Sequence, residues 1–305
     1  MIFTEYDMKL LKYLLPLVIA GLFWSCSKKV STDPVYAVEI TKWHAKRVEN
    51  LMRESGWLNL AGLFWLKPGE NKFGSDPSND IIFPKEAPAN IGTIILKDST
   101  VKLKVNNDVI VTVAGNKVND IVLDNDMTGN PTIMATGSFK WFIIKRGDKY
   151  GIRLRDINAG LAKNFPGIET YDIDKLWRIE ATFDKFKSPE IIKVPSIIGT
   201  VEQDTVYGHL SFNKDGNNYS LVPIVEGDSY FIIFADETNG EETYGAGRFL
   251  YTSLPDSTGK VILDFNKAYN PPCAFTKYAT CPLPPKENYL HLKVTAGEKK
   301  FAHDH

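Results

Sequence analysis

The stretch 231-FIIFADETNGEETYGAGRFLYTSLPDSTGKVILDFNKAYNPPCAFTKYATCPL-283 combines apolar strand patterns with a dense set of polar and turn-forming residues. It holds a Gly-x-Gly-Arg segment ending at Arg248, an Asp-Phe-Asn turn at 264–266, and the cysteines Cys273 and Cys281. Rigid loops that regular strands hold in place commonly carry functional side chains. We therefore expect this stretch to lie at the centre of the fold and of any functional site.

The rest of the sequence also predicts β-structure. From Trp57 onward, short apolar runs are broken by Gly, Pro, Asn and Asp, and no segment keeps a helical period beyond two turns. One helix precedes them and runs through Glu54, because Asp33-Pro34 fits a helix start and is followed by an amphipathic pattern. The apolar residues of that pattern fall close to one face: Tyr36, Ile40, Trp43 and Leu51.

We predict a mainly β fold, in which an N-terminal amphipathic helix is followed by two β domains. The first domain is predicted to be a β-sandwich, and the C-terminal domain a β-sandwich or barrel-like unit. The segments are a signal peptide (1–26), a tether and helix (27–56), the first β domain (57–157), a junction (158–175), the C-terminal β domain (176–300) and a tail (301–305). A chain of 305 residues is long enough for two ordinary domains.

Charge and motif content exclude several classes of partner. The formal net charge of -1 gives no basic field, so we expect no nucleic-acid partner. No Gly-Lys-Ser/Thr follows the glycines before Arg248, so no nucleotide loop is indicated, and we expect no cofactor. No CxxC or HxxxH spacing is present, so we expect no metal site.

The N-terminus resembles an export signal with a lipid anchor. Lys9 and Lys12 precede an apolar run, residues 14–24, that is too short to span a bilayer and fits the apolar part of a secretory signal. The run ends in Ser25-Cys26, which resembles the bacterial lipoprotein signal with Cys26 as the lipidated residue. We therefore expect the protein in the cell envelope, held to the membrane by a lipid anchor and facing the periplasm.

The first β domain resembles an FHA domain, a β-sandwich that binds phosphothreonine. The resemblance rests on PGENKFGSDPSNDIIFP, residues 68–84, and VTVAGNKV, residues 111–118. In FHA domains an Arg after the glycine grips phosphate, whereas Ser75 follows Gly74 here, and the loop 85–92 has neither Ser nor His. The resemblance therefore implies the shape, and we do not expect a phosphothreonine peptide as partner.

Arginines occur in two places with alternative interpretations. Arg248 follows two glycines, and it either holds a carboxylate or phosphate beside exposed amides, or forms a structural ion pair with Glu242 or Asp264. Arg153 and Arg155 alternate with apolar residues on a predicted strand and share one face. They form either a solvated face or the positive wall of a cleft.

The end of the opening stretch supplies the remaining candidate residues. We predict a site for a small anionic ligand from polar residues near the proline-rich loop: Arg248, Asp264, Asn266, Asn270 and Tyr278. Export into an oxidising compartment makes Cys273 and Cys281 a candidate disulfide. The alternatives are a reactive thiol at Cys273, with Asp264 or His209 in acid–base work, or two inert buried thiols.

Several of these motifs together resemble one known family. WLNLAGLFWLKPGENKFGSDPSNDIIFP, IKRGDKYGIRLRD, ETYGAGRFLY and DFNKAYNPPCAFTKYATCPLPP look like the bacterial and archaeal family called domain of unknown function 1684. The resemblance covers nearly the whole chain after the signal. It implies a two-part β architecture with the last motif as the signature, and it implies no activity.

Three functional hypotheses follow. The first is a periplasmic lipoprotein that binds a small anionic ligand or an envelope component, and the second is a hydrolase or transferase of envelope material with Cys273 as nucleophile. The third is a structural or protein-interaction lipoprotein. An enzyme requires a free Cys273, a binder requires a polar pocket, and a structural protein requires Arg248 and Asp264 to be paired and sealed from solvent.

Overall fold

The computed structural model describes residues 33–301. The predicted signal peptide, the lipidation of Cys26 and the tail after residue 301 lie outside the described residues. Among the described residues, no helix has both the length and the apolar character needed to cross a membrane.

The predicted N-terminal helix is present as α1, Pro34–Met52. The side chain of Asp33 accepts a hydrogen bond from the Val35 amide at 3.0 Å, and Pro34 occupies the first turn, where no amide hydrogen is needed. The helix ends two residues before the predicted end at Glu54. Its buried residues are three of those predicted, namely Tyr36, Ile40 and Leu51.

Two sheets form the first β unit. Its strands are β1 Leu60–Trp65, β2 Gly69–Gly74, β3 Ile81–Ile82, β4 Gly92–Lys97, β5 Thr100–Val105, β6 Val111–Val113, β7 Asn116–Val118, β8 Asp120–Leu123, β9 Met134–Thr136, β10 Phe139–Arg146 and β11 Lys149–Asp156. One sheet has the order β1-β11-β10-β9-β6-β7, and the other has the order β3-β2-β4-β5-β8. Both sheets contribute to one hydrophobic core around Phe73 and Trp141. The specific likeness to FHA domains stays a prediction.

Strand β11 has the predicted alternation of arginines and apolar residues between its two faces. Ile152 and Leu154 are fully buried in the first core, so Arg153 and Arg155 project from the opposite face. That face is not solvated at Arg153, which is only 4% exposed. A second layer of the protein therefore covers this side of the sheet.

Two further sheets form the C-terminal half, after a single helical turn, α2 (Gly160–Lys163). The strands are β12 Arg178–Pro195, β13 Val201–Lys214, β14 Asn217–Leu221, β15 Ile224–Glu226, β16 Ser229–Asp236, β17 Arg248–Ser253, β18 Lys260–Asp264 and β19 Tyr289–Leu290. One sheet has the order β14-β13-β12-β18, and the other has β15-β16-β17 with β19 paired to β16. The predicted mainly β fold with one N-terminal helix is confirmed, and the sheets include a half-barrel.

Two cores stabilise this half. The two sheets pack around Phe234, Leu263 and Phe265, while a second core lies around Ile233 and Phe249 and includes both cysteines. The pairing of β12 with β13 shifts between Lys185 and Glu190, so the two ends of this long hairpin contribute to different cores. The predicted domain boundaries at residues 157 and 176 stay a prediction.

The chain does not turn tightly between β16 and β17, just before Arg248. β16 and β17 are antiparallel neighbours, but residues 237–247 form a longer loop between them. The Asn239 side chain closes this loop, since it accepts from the Asp236 amide at 2.6 Å and donates to Thr243 Oγ1 at 2.8 Å. Gly247 has φ +88, and an added Cβ there would lie 2.6 Å from the Phe234 carbonyl oxygen. The glycine is therefore required by a close backbone approach.

Candidate functional site

Arg248 is the most deeply buried charge of the predicted site. Its side chain has no exposed surface, and its Nη2 donates to Asp236 Oδ2 at 2.8 Å and to the Val294 carbonyl at 2.9 Å. Its Nη1 donates to the Ala296 carbonyl. The ion-pair partner is thus Asp236, and the predicted partners Glu242 and Asp264 are wrong. The two Nη atoms of this guanidinium fix the C-terminal segment on the sheet, while its Nε is buried with no acceptor among the described residues.

Asp264 and Asn266 are bonded to helix α1. Asp264 Oδ1 accepts a hydrogen bond from Tyr36 Oη at 2.6 Å, and Asn266 Nδ2 donates to the same Tyr36 Oη at 2.9 Å. Asn266 also bonds both backbone groups of Asp174, at 3.0 and 2.9 Å. Burial, and then the bond to Asp264, raises the pKa of the Tyr36 hydroxyl, so Tyr36 stays a neutral donor.

Asn270 is bonded to a buried carboxylate near the C-terminus. Its backbone amide donates to Glu298 Oε2 at 2.7 Å, and its side-chain Nδ2 donates to the Lys299 carbonyl at 2.7 Å. Arg47 on α1 completes the group, with Nη2 donating to the Asn270 carbonyl at 2.8 Å and Nε to Glu298 Oε1 at 3.3 Å. Burial raises the pKa of Glu298, and the charge of Arg47 opposes that shift. Asn270 Oδ1 is buried and accepts no hydrogen bond from the described residues.

Tyr278 and the cysteines lie elsewhere on the same loop. No hydrogen bond joins Tyr278 to the other four predicted ligand residues within residues 33–301, and its amide donates to Thr276 Oγ1 at 3.2 Å. Cys273 and Cys281 form a disulfide, and both are buried in the core around Phe249. The structure therefore places no free thiol at Cys273. His209, the predicted acid–base partner, lies 3.5 Å from Asp184 instead.

One side of α1 contacts residues 264–298, here called the signature segment, along its length. Tyr36 reaches Asp264, His44 Nε2 lies 2.9 Å from the Asn266 carbonyl, and Arg47 reaches Glu298. Apolar contacts continue the same side, since Leu51 packs in a cluster with Phe275. The polar residues predicted as a ligand site are thus largely the docking surface of the N-terminal helix.

A second polar group joins the first β unit to the disulfide loop. Arg153 Nη2 and Arg146 Nε both donate to Thr280 Oγ1, each at 3.2 Å. Arg146 also pairs with Asp126 Oδ2 at 2.8 Å, whereas Arg153 has no carboxylate partner among the described residues. The Trp57 ring lies 5.2 Å from the Arg153 guanidinium.

One open cavity in the first β unit does not match an anionic ligand. It has a volume of about 440 Å³, and no cationic side chain lines it. Its lining includes Pro88, Asp108, Ile110, Thr112 and Thr136. Within residues 33–301 no cluster of three or more His, Cys, Asp or Glu side chains is arranged to hold a metal ion.

Comparison with known proteins adds a family without an assigned activity. A family model described as "Protein of unknown function (DUF1684)" matches residues 163–299. The chain belongs to the DUF1684 family. One similar solved structure is the solution NMR structure of an uncharacterized protein of Haloarcula marismortui, with 32% identity over 45% of this chain and 78% of that chain, and a TM-score of 0.38. No curated protein matches this chain.

Four residues that matter to the DUF1684 segment escaped prediction from the sequence. Glu298, Arg47 and Thr280 each bond a residue at least 28 positions away, so no local spacing connects them. Asp236 bonds Arg248 across 12 positions that include the irregular loop 237–247. Arg47 alone carried a usable signal, since it lies eleven positions after Tyr36 and therefore on the same side of the helix.

Proposed function

We propose that this DUF1684 protein is a structural lipoprotein of the cell envelope. In it, the C-terminal signature segment fixes the helix that follows the membrane tether. The observation that carries the proposal is that Tyr36 and Arg47 of α1 bond directly to Asp264, Asn270 and Glu298. The signature residues thus recognise a segment of their own chain.

The two other hypotheses have less support at the predicted residues. A ligand site would need polar groups open to solvent, whereas Arg248, Asp264, Asn266 and Asn270 are buried and bonded within the protein. A thiol enzyme would need a thiolate at Cys273, and a disulfide sulfur cannot supply one. Lipidation at Cys26 and the periplasmic location remain part of the proposal.

Helix docking gives such a lipoprotein a rigid attachment. If α1 were not docked, proteases could cleave it and separate the folded domains from the membrane tether. Bonding along α1 instead makes the helix part of the fold, so opening it costs free energy. The exposed ion pair of Lys46 with Glu49 joins two residues of α1 itself, so it supplies a matched control on the same helix.

The test uses the full chain expressed in a bacterial envelope. We expect Tyr36→Phe combined with Arg47→Met to make the membrane-associated protein sensitive to trypsin and to lower its amount severalfold. Lys46→Met combined with Glu49→Gln alters two side chains of the same helix that form an exposed ion pair with each other, and it should behave like the wild type. Equal trypsin resistance in both variants would contradict the proposal.

A further inference from the structure

Two arginines and one hydroxyl converge where the first β unit meets the disulfide loop. Arg146 and Arg153 come from neighbouring strands, and Thr280 comes from the loop that the Cys273–Cys281 disulfide closes. Both guanidinium groups donate to the same Thr280 Oγ1, at 3.2 Å each. A neutral hydroxyl is a weak partner for two cations, so the group lacks a strong acceptor at its centre.

The charges of this group do not balance. Asp126 compensates Arg146, with Nη1 to Oδ2 at 2.8 Å, but no carboxylate pairs with Arg153 in the part of the chain that the structure describes. Arg153 is only 4% exposed, and its Nε is buried with no acceptor among residues 33–301. A buried charge without a partner is costly, and an anion at this point would remove the cost.

Protonation keeps this charge in place near neutral pH. Burial, and then the nearby charge of Arg146, lowers the pKa of Arg153 to about 10. The guanidinium therefore stays positive at pH 7. The Trp57 ring covers it at 5.2 Å and stabilises the cation partly, without accepting a hydrogen bond from Nε.

We propose that this DUF1684 protein binds a small oxyanion at Arg153 Nε, with Arg146 and the Thr280 hydroxyl as the other donors. The Nε edge of a guanidinium forms a planar fork that matches the two oxygens of a carboxylate or phosphate. The anion would approach from the side of Arg146 and Thr280, since the Arg146 side chain is 20% exposed and Thr280 is half-buried. It lies apart from Arg248, where an anion was expected from the sequence, and it does not depend on the docking of α1.

The test is titration calorimetry of the full-length protein with inorganic phosphate and, separately, with succinate, at constant ionic strength set with chloride. We expect saturable binding of at least one of them. The anion that binds more tightly shows whether the site prefers a phosphate or a carboxylate. Arg153→Lys keeps a charge but loses the fork, and should weaken binding about tenfold or more. Thr280→Val should weaken it about threefold to tenfold. Arg178→Lys, at an exposed arginine of β12, is the control and should change nothing.

Two results would overturn the proposal. One is that the wild type shows no saturable binding of either anion. Water would then be the acceptor of the hydrogen bond from Arg153 Nε. The other is binding that Arg153→Lys and Thr280→Val leave unchanged, which would place the anion elsewhere. If Arg153→Lys does not fold, Thr280→Val decides alone, because it replaces a half-buried side chain by one of the same shape.

Discussion

Tyr36 Oη donates a hydrogen bond to Asp264 Oδ1 at 2.6 Å, across 228 positions of the sequence. Both residues are buried, at 6% exposure each. The bond joins the first turn of α1 to the end of β18, so it couples the start of the described chain to the DUF1684 signature. A carboxylate predicted to bind a ligand is thereby occupied by the protein itself.

Removal of this bond should cost measurable stability. We expect Tyr36→Phe to lower the free energy of unfolding by about 1–2 kcal/mol, because a buried carboxylate loses one of its donors. Urea denaturation of the full chain measures the change. The control is Glu49→Gln, which removes the exposed partner of Lys46 on the same helix and should cost no more than about 0.5 kcal/mol. Equal losses in the two variants would show that the Tyr36 bond has no special weight.

The pair of Arg248 and Asp236 should be far less tolerant. Arg248→Met leaves Asp236 as a buried charge without its cation and removes the donors of two carbonyls, so we expect a loss of about 3–5 kcal/mol or failure to fold. Arg53→Met is the matched control, since Arg53 pairs with Glu49 at the surface and should contribute little. A fully stable Arg248→Met variant would refute the structural role of this arginine.

The sequence accounts for some of these elements and not for others. Helix α1 was predictable because Asp33-Pro34 and the spacing of Tyr36 and Ile40 are local signals. The ion-pair partner of Arg248 was predicted wrongly. The pairing of β16 with β17 explains why Asp236 is the partner. Arg248 lies opposite Phe234, and Asp236 is two positions further along β16 on the same face. That register becomes visible only once the strands are aligned, because the long loop 237–247 hides it in the sequence.

The surroundings of Arg153 were also not predictable from local sequence. The sequence placed Arg153 and Arg155 on one face, but it left open whether that face was solvated. Only the folded chain brings Thr280 and Trp57 onto Arg153. Burial of a charged side chain on a strand depends on the layer that covers it, and the residue spacing does not encode that layer.

His44 should make stability depend on pH. Burial lowers the pKa of His44 below its usual value of about 6.5, so the folded state favours the neutral ring. The contribution of His44 is therefore complete above about pH 6.5, and it is lost as the pH falls from there through the lowered folded pKa. Denaturation at pH 7.5 and 5.5 should show a smaller loss for His44→Gln than for the wild type. Identical losses in both proteins would mean that His44 does not contribute.

The disulfide should be present in the exported protein and should stabilise it. Trypsin cuts after Lys277, between the two cysteines, so a digest without reductant should yield residues 268–277 linked to residues 278–286. Replacing both cysteines by Ala should lower the free energy of unfolding by about 2–3 kcal/mol. Recovery of separate peptides with free thiols from the unreduced digest would reopen the thiol-enzyme hypothesis.

Hydrogen exchange of helix α1 measures whether the DUF1684 signature docks this helix. Mass spectrometry of the full-length protein would compare the amides of residues 34–52 in the wild type and in the combined variant Tyr36→Phe, Arg47→Met. We expect slow exchange in the wild type and much faster exchange in the variant, with the strands β16 and β17 unchanged. Rapid exchange of α1 in the wild type, or slow exchange that the variant leaves intact, would contradict this docking.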